Sequence, residues 1–305
     1  MTTTTPYIPI KSSSEPPLVI APAAATIFAT RAQRFDQLAN GHSLGDWLRF
    51  LAAITRAQHD ALQALPATPL PDAAQLAQAR EHRMPPLPAQ SWPRDPGWRT
   101  SLLRIVAAIS ALAPEPARQD LARLAGFEAD RIEALAERVL HTELYGDDAA
   151  LLPYVAAALQ VLWTAGAARL GASEINPLDV SGVCPCCGFL PVASVVRSGG
   201  EVGNLRYLHC ALCNTEWNLV RVKCASCDAT EGISYRHLEA DGGKGVGSVR
   251  AETCDACKSY LKIMYQEKGP VDPVADDLAT LALDILVDEA GYARSSPNLL
   301  LVPGG

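Results

Sequence analysis

Four Cys-x-x-Cys pairs constrain this chain more than any other feature, and all lie between residues 184 and 257. They are Cys184/Cys187, Cys210/Cys213, Cys224/Cys227 and Cys254/Cys257. Two residues between the cysteines let a tight turn direct both sulfurs at one ion, while backbone N–H groups donate to the thiolates. Four pairs supply the ligands of two tetrahedral four-sulfur sites, so the sequence predicts two bound metal ions.

Two other uses of paired cysteines fit the sequence less well. Disulfides need an oxidising compartment. The apolar stretch 18–29 contains Pro22, and its lead-in lacks the basic cluster of a secretory signal. A thioredoxin-like centre needs one Cys-x-x-Cys on a βαβ unit rather than four on short hairpins. No stretch approaches the roughly 18 consecutive apolar residues of a membrane span, so we expect a soluble, unexported protein.

The spacing leaves open which pairs share an ion. Consecutive pairing, which we favour, leaves intervals 188–209 and 228–253 inside the two sites, and their similar length suggests a duplicated module. A cross-braced arrangement would join the first pair with the third and the second with the fourth. A third option joins the two middle pairs. Four thiolates suit zinc and iron about equally.

The predicted sites are closed, which argues against catalysis. Catalytic metal sites keep a position open for water or substrate, whereas four cysteines fill a tetrahedral ion. No nucleophile or general-base constellation stands out elsewhere, so we predict that the metal stabilises the fold rather than taking part in catalysis. Eight thiolates already fill two sites, so His209 and His237 are not counted as ligands.

The first pair lies in a turn, here called a knuckle, that resembles the rubredoxin knuckle. Gly188 follows the second cysteine because the turn needs a left-handed backbone angle there. The equivalent positions hold Asn214, Asp228 and Lys258, and the first two tolerate that angle. The ninth cysteine, Cys186, lies inside this knuckle, and we interpret it as a structural position rather than an exposed reactive thiol.

Residue usage divides the chain into three predicted segments. Residues 1–180 contain no cysteine and predict an all-α helical array. Residues 181–268 predict tandem rubredoxin-like or zinc-ribbon-like modules, approximately 181–220 and 221–268. Residues 269–305 predict a C-terminal helical segment. The predicted fold class is therefore multidomain, with a helical array followed by small β modules and a final helix.

Hydrophobic periodicity locates the predicted helices. They cover 44–54, 72–83, 102–112, 132–139, 151–170 and 272–291. Ser43 and Asp46 resemble a capping arrangement for the first of them. Pro153 suits the first turn of the fifth. Asp272 and Gly291 are expected to begin and end the last.

Strands are predicted only among the knuckles, in short segments rich in β-branched and aromatic residues. These segments are 192–197, 204–209, 217–222 and 233–238. The first 180 residues show no alternating strand pattern. They predict helices alone.

Two alternative functions are considered, and charge argues against the first. A zinc-ribbon nucleic-acid binder needs a basic face, but the formal net charge is −7 and the knuckle region is close to neutral. A rubredoxin-type electron carrier remains the second alternative, and it predicts coloured, reversibly reducible iron.

The residues around the later knuckles resemble the formate dehydrogenase accessory protein FdhE family. The resemblance rests on Tyr-Leu-His-Cys-Ala-Leu-Cys-Asn-Thr-Glu-Trp from residue 207, on 251–262, and on the acidic helix at 271–292. It is looser at the start of the chain, where Arg31-Ala32-Gln33-Arg34 and residues 48–58 fit the family pattern.

The resemblance implies a cytoplasmic assembly factor rather than an enzyme. Its implied partner is the catalytic subunit of respiratory formate dehydrogenase, a molybdenum or tungsten enzyme with a twin-arginine signal, bound before export. It also implies two rubredoxin-like sites, with iron favoured over zinc. The matching motifs make the ligands Cys184, Cys187, Cys210, Cys213, Cys224, Cys227, Cys254 and Cys257. Cys186 departs from the family pattern, so no role is carried over to it.

Overall fold

The structure, a computed structural model, describes residues 16–199, 203–238 and 247–301. The outer ends of the first and last predicted segments, 1–15 and 302–305, lie outside the described residues. Helices occupy the first part of the described chain, and strands with two four-cysteine clusters occupy the second. The predicted fold class is confirmed.

Seven α-helices form the described part of the helical region. They are α1 (Ile27–Ala39), α2 (Gly45–Gln63), α3 (Ala73–Glu81), α4 (Gly97–Ile109), α5 (Glu115–Ala125), α6 (Ala129–Leu140) and α7 (Leu152–Leu170). The five predicted helices before residue 180 correspond to α2, α3, α4, α6 and α7. Helices α1 and α5 have no counterpart among the predictions.

Helix α7 is the centre of the helical region. Its side chains are buried on nearly every side, and α2, α4 and α6 pack around it. Pro153 lies in its first turn as predicted, where the missing N–H costs no hydrogen bond. With the turn before it, the helix (Ala149–Leu170) is long and apolar enough to cross a membrane, but 83% of its most apolar window is buried inside the protein. Such burial is typical of a core helix.

The predicted cap of α2 is wrong. The helix begins after Leu44, and within the described residues no side chain, including that of Ser43, accepts from its first N–H groups. Asp46 instead pairs with Arg49 on the surface, with 2.7 Å between Oδ1 and Nη1. Exposed carboxylates can be satisfied by a neighbouring arginine as readily as by a helix end.

The strands of both predicted modules lie in one sheet. They are β1 (Val19–Ile20), β2 (Pro191–Val196), β3 (Arg206–Cys210), β4 (Glu216–Asn218), β5 (Ile233–Arg236), β6 (Val249–Cys254), β7 (Ser259–Tyr265) and β8 (Ala293–Arg294). The order is β1-β4-β3-β2-β7-β6-β5, and β8 pairs with β7. Strand β2 joins the two halves, because it pairs antiparallel with β3 and parallel with β7.

Three strand predictions hold and several strands were missed. The segments predicted at 192–197, 204–209 and 233–238 correspond to β2, β3 and β5. The fourth, predicted over 217–222, already ends at Asn218. Strands β6, β7 and β8 were not predicted. Nor was β1, which pairs Val19 with Trp217 and so places a strand from the first segment at the edge of the sheet.

The helix predicted over 272–291 is divided into α8 (Ala275–Leu278) and α9 (Leu281–Glu289). At the break, Lys262 of β7 donates from Nζ to the carbonyls of Asp277 (2.7 Å) and Thr280 (3.1 Å). The sheet thereby supplies a donor to two carbonyls between the helices. Asp272 begins the segment as predicted, accepting from the N–H groups two and three residues later. Gly291 ends it with a left-handed φ of +85°.

Two arginines of α1 connect the helical region with the C-terminal segment. Arg31 Nε lies 3.0 and 3.1 Å from the two carboxylate oxygens of Asp272. Arg34 Nη2 lies 2.6 Å from Asp276 Oδ1. Beside them one continuous apolar core includes residues of all three predicted segments. The sheet and its cysteines are therefore held against the helices.

Candidate metal centres

The eight paired cysteines form two clusters, each built from two consecutive pairs. One holds Cys184, Cys187, Cys210 and Cys213, and the other holds Cys224, Cys227, Cys254 and Cys257. In each, all four sulfurs lie within 4.8 Å of one another. This is the grouping favoured from the spacing, and the cross-braced arrangement and the pairing of the two middle pairs are wrong.

All four knuckles have the same backbone geometry. The residue after the second cysteine has a left-handed φ in each: +73° at Gly188, +59° at Asn214, +61° at Asp228 and +54° at Lys258. In the first knuckle, for example, the Gly188 N–H donates to the Cys184 carbonyl at 2.8 Å. The predicted requirement at Gly188 is confirmed. The turn imposes it even on a lysine, a residue type that rarely adopts this conformation.

The sulfur distances match a tetrahedral metal site. A zinc–sulfur bond of about 2.3 Å places two ligand sulfurs about 3.8 Å apart in a tetrahedron. In the first cluster two sulfur pairs are 3.5 Å apart, Cys184 with Cys213 and Cys187 with Cys210. The corresponding pairs of the second cluster are 3.7 Å apart. Backbone N–H groups also approach the sulfurs, as Leu212 and Cys213 do at Cys210 (3.4 Å each).

The first cluster is buried, and its thiols differ in the direction of their pKa shifts. Burial raises the pKa of the Cys184 and Cys187 thiols well above the ordinary range. Burial acts the same way at Cys213, but hydrogen bonds from the surrounding thiols outweigh it and hold the pKa of Cys213 well below that range. Metal ligation needs thiolates, so a cation bound here would displace protons from the cluster.

The second cluster reaches the surface at Cys227 and Cys257. A backbone hydrogen bond lowers the pKa of Cys227, but burial and the other three thiols outweigh it and raise it to about 12. At Cys257 burial is outweighed by hydrogen bonds from Ser259, whose Oγ lies 3.0 Å from the sulfur, and the pKa falls to about 7. The two exposed thiols therefore differ in how readily they ionise.

Cys186 is fully buried, although it belongs to neither cluster. Its carbonyl accepts from the Leu87 N–H at 3.0 Å, and that of Cys187 accepts from Ala89 at 2.8 Å. The connector between α3 and α4 is thus bonded to the first knuckle. The burial of Cys186 agrees with its interpretation as a structural position, and the alternative of an exposed thiol is wrong.

A buried polar network beside the first cluster was missed. His209 contacts no sulfur; its Nδ1 lies 3.0 Å from Glu216 Oε1 and its Nε2 lies 3.0 Å from Asn214 Oδ1. Burial would raise the pKa of Glu216, but His209 and Arg197 outweigh it and lower it to about 2. Arg31 Nη2 also donates to Asn214 Oδ1, at 2.8 Å. In the sequence, the Arg-Ala-Gln-Arg segment at 31–34 was the one feature that could have indicated this network, because it contains Arg31.

Models of the FdhE family match three consecutive parts of the chain. The FdhE N-terminal model covers residues 16–179, the central domain covers 183–221 and the C-terminal domain covers 222–301. The boundary between the central and C-terminal matches lies between the two cysteine clusters. Each of these two matches therefore contains one complete cluster.

Known proteins resemble the chain over nearly its whole length. A "Protein FdhE homolog" of Edwardsiella ictaluri is 44% identical over 290 residues, which are 94% of this chain and 92% of the relative. One of Pseudomonas aeruginosa is 41% identical over 281 residues, 92% and 91% of the two chains. The crystal structure of the FdhE protein from Pseudomonas aeruginosa superposes with a TM-score of 0.82 at 37% identity, covering 95% of this chain and all of that one. The chain therefore belongs to the FdhE family.

Proposed function

We propose that the eight paired cysteines bind two metal ions, one in each cluster. The sulfur distances support this proposal, as do the backbone N–H groups that donate to Cys210 and Cys224. Each ion would have four sulfur ligands and no position for water, so it would hold the knuckles in place rather than activate a substrate. The family resemblance favours iron, and zinc suits the same donors.

Metal content tests this proposal. Protein isolated from its native host should contain two equivalents of metal by elemental analysis. Cys184→Ser and Cys254→Ser should each lose about one equivalent, because each removes one of four ligands from one ion. Cys186→Ala should keep both, since Cys186 belongs to neither cluster. A folded wild-type protein without bound metal would contradict the proposal. Visible absorbance that bleaches reversibly on reduction would favour the electron-carrier alternative.

We propose that the chain is a cytoplasmic accessory protein of respiratory formate dehydrogenase that binds the catalytic subunit before export and does not itself catalyse a reaction. The observation that carries this is membership of the FdhE family across all three parts of the chain. The closed four-sulfur clusters support a non-catalytic role.

Charge pairing supports a protein partner over a nucleic acid. Three cations near the knuckles are each bonded to a carboxylate: Arg206 to Glu252 (2.7 Å), Lys223 to Asp228 (2.9 Å) and Lys258 to Asp255 (2.8 Å). A phosphate backbone would have to displace these carboxylates. Nucleic-acid binding needs free cations on one face.

We place the binding surface for the catalytic subunit at the junction of the helical region and the C-terminal segment. A cleft of about 460 Å³ lies there. Trp47 and Phe50 of α2, Leu281 of α9 and Leu300 line it. Both the helical region and the C-terminal segment contribute to this cleft, and its lining is largely apolar. Such a lining suits a catalytic subunit that has not yet buried its own apolar surface.

Co-purification tests the partner and the surface together. The wild-type chain should retain a tagged catalytic subunit expressed without its export machinery. Trp47→Ala with Phe50→Ala should weaken retention by roughly tenfold or more, because large aromatic side chains dominate interface energies. Arg49→Ala, on the same helix but paired with Asp46, is the matched control and should bind normally. Failure of the wild type would refute the function, and normal binding by the folded double variant would refute only the surface.

A further inference from the structure

The two cysteine clusters differ in how an external molecule can reach them. In the first, none of the four cysteines is more than 1% exposed. In the second, Cys224 and Cys254 are nearly as buried, but Cys227 and Cys257 are exposed. The two clusters have the same Cys-x-x-Cys spacing. Their difference arises from what packs around them.

The helical region encloses the first cluster. The Leu87 and Ala89 N–H groups donate to carbonyls of the first knuckle. Gln160 of α7 donates from Nε2 to the Ala211 carbonyl in the second knuckle, at 2.8 Å. An external ligand can reach these sulfurs only after the sheet separates locally from the helices, which makes its access depend on an opening equilibrium.

Small hydroxyl side chains flank the second cluster on its exposed side. Ser259 Oγ lies 3.0 Å from Cys257 Sγ and 3.2 Å from Ser226 Oγ. Neither side chain is large enough to shield a sulfur from solvent. An incoming ligand can therefore approach Cys227 or Cys257 while the fold stays closed.

We propose that the second cluster is a ligand-exchange site, where an external thiol displaces Cys227 or Cys257 and takes over the bound ion, while the first cluster retains its ion. This inference rests on the metal binding proposed above. In each exchange one metal–sulfur bond breaks as another forms, and the proton of the incoming thiol passes to the displaced cysteine. The step therefore needs no oxidant or reductant, and repeating it transfers the ion.

The ligand class is a soft sulfur donor, because thiolates compete with thiolates for zinc or ferrous iron. A small cellular thiol and a cysteine-containing polypeptide both provide this chemistry. The two sources differ in the number of sulfur ligands they offer. A polypeptide can present two cysteines at once, and the second metal–sulfur bond then strengthens its binding to the ion.

Zinc release from the full-length protein tests the inference. The chain is loaded with two equivalents of zinc and mixed with glutathione and a chromogenic zinc chelator in excess. One equivalent should leave in a fast phase whose rate rises with glutathione concentration. The second equivalent should leave at a rate at least about tenfold lower. That rate should not depend on glutathione concentration, because local opening limits it. A second arm replaces glutathione by a Cys-x-x-Cys peptide, and faster release per thiol identifies a polypeptide as the preferred acceptor.

Two variants assign the phases. Cys227→Ser should bind one equivalent and release it only slowly. Ser226→Tyr keeps all eight cysteines and should bind both equivalents, but the larger ring beside the exposed sulfurs should slow the fast phase several-fold. Release of both equivalents at one rate, or a fast phase that survives in Cys227→Ser, would overturn the inference alone. A chain that binds no zinc and no iron would overturn the metal proposal as well.

Discussion

At the scale of single residues, Arg31 connects three parts of the molecule. The side chain is fully buried, its Nε contacts both oxygens of Asp272, and its Nη2 donates to Asn214. Asn214 is the left-handed residue after Cys213, so the same guanidinium supports a knuckle of the first cluster. Loss of this arginine would affect the C-terminal segment and the knuckle together.

We expect Arg31→Met to lower the free energy of unfolding by about 3–5 kcal/mol, because it leaves the Asp272 carboxylate buried without its cation. Urea denaturation at equal metal content measures the loss. Adding Asp272→Asn should restore part of it, with a coupling energy of about 1–3 kcal/mol in the double-mutant cycle. Arg34→Met is the matched control and should cost less, since its side chain is 17% exposed. A loss below about 0.5 kcal/mol for Arg31→Met would show that the pair is not needed.

Residue types revealed the knuckle turns but not their surroundings. Gly188, Asn214 and Asp228 are types that enter the left-handed region with little strain, so their role could be predicted. Lys258 carries no such signal, and only the repeated spacing identifies its turn. The burial of Cys186 depends on the connector at Leu87, which is distant in sequence, and local patterns do not encode that contact.

At the scale of elements, buried charges hid three of the missed elements, strands β6 and β7 and helix α1. Strand β6 contains Glu252 and β7 contains Lys262, both almost fully buried. A strand covered on both faces is normally recognised as an apolar run, which these charges interrupt. Arg31 likewise interrupts the buried side of α1. Each charge has its partner in another part of the chain, as Glu252 has Arg206. A short stretch of sequence therefore could not show that the buried charge is paired.

At the scale of the whole molecule, the parallel pairing of β2 with β7 makes one sheet out of two similar modules. It aligns Ser194–Val196 with Ile263–Tyr265. The even spacing of the cysteines predicted how pairs combine within each module. It carried no information on how the modules meet, because a parallel pair is not marked by a hairpin turn. Both strands are largely buried, so separating them exposes apolar side chains as well as unpaired backbone groups.

We expect β2 and β7 to open in one event, because removing either strand breaks the same ladder and leaves the other with unsatisfied backbone groups. Native-state hydrogen exchange in increasing urea measures this, and amides of the two strands should converge on one opening free energy. Strand β5 is the internal control, since among the described strands it pairs with β6 alone, and it should open at a lower free energy. If β7 instead opened together with β5 while β2 stayed protected, the modules would unfold separately. The β2–β7 ladder would then contribute little to cooperativity.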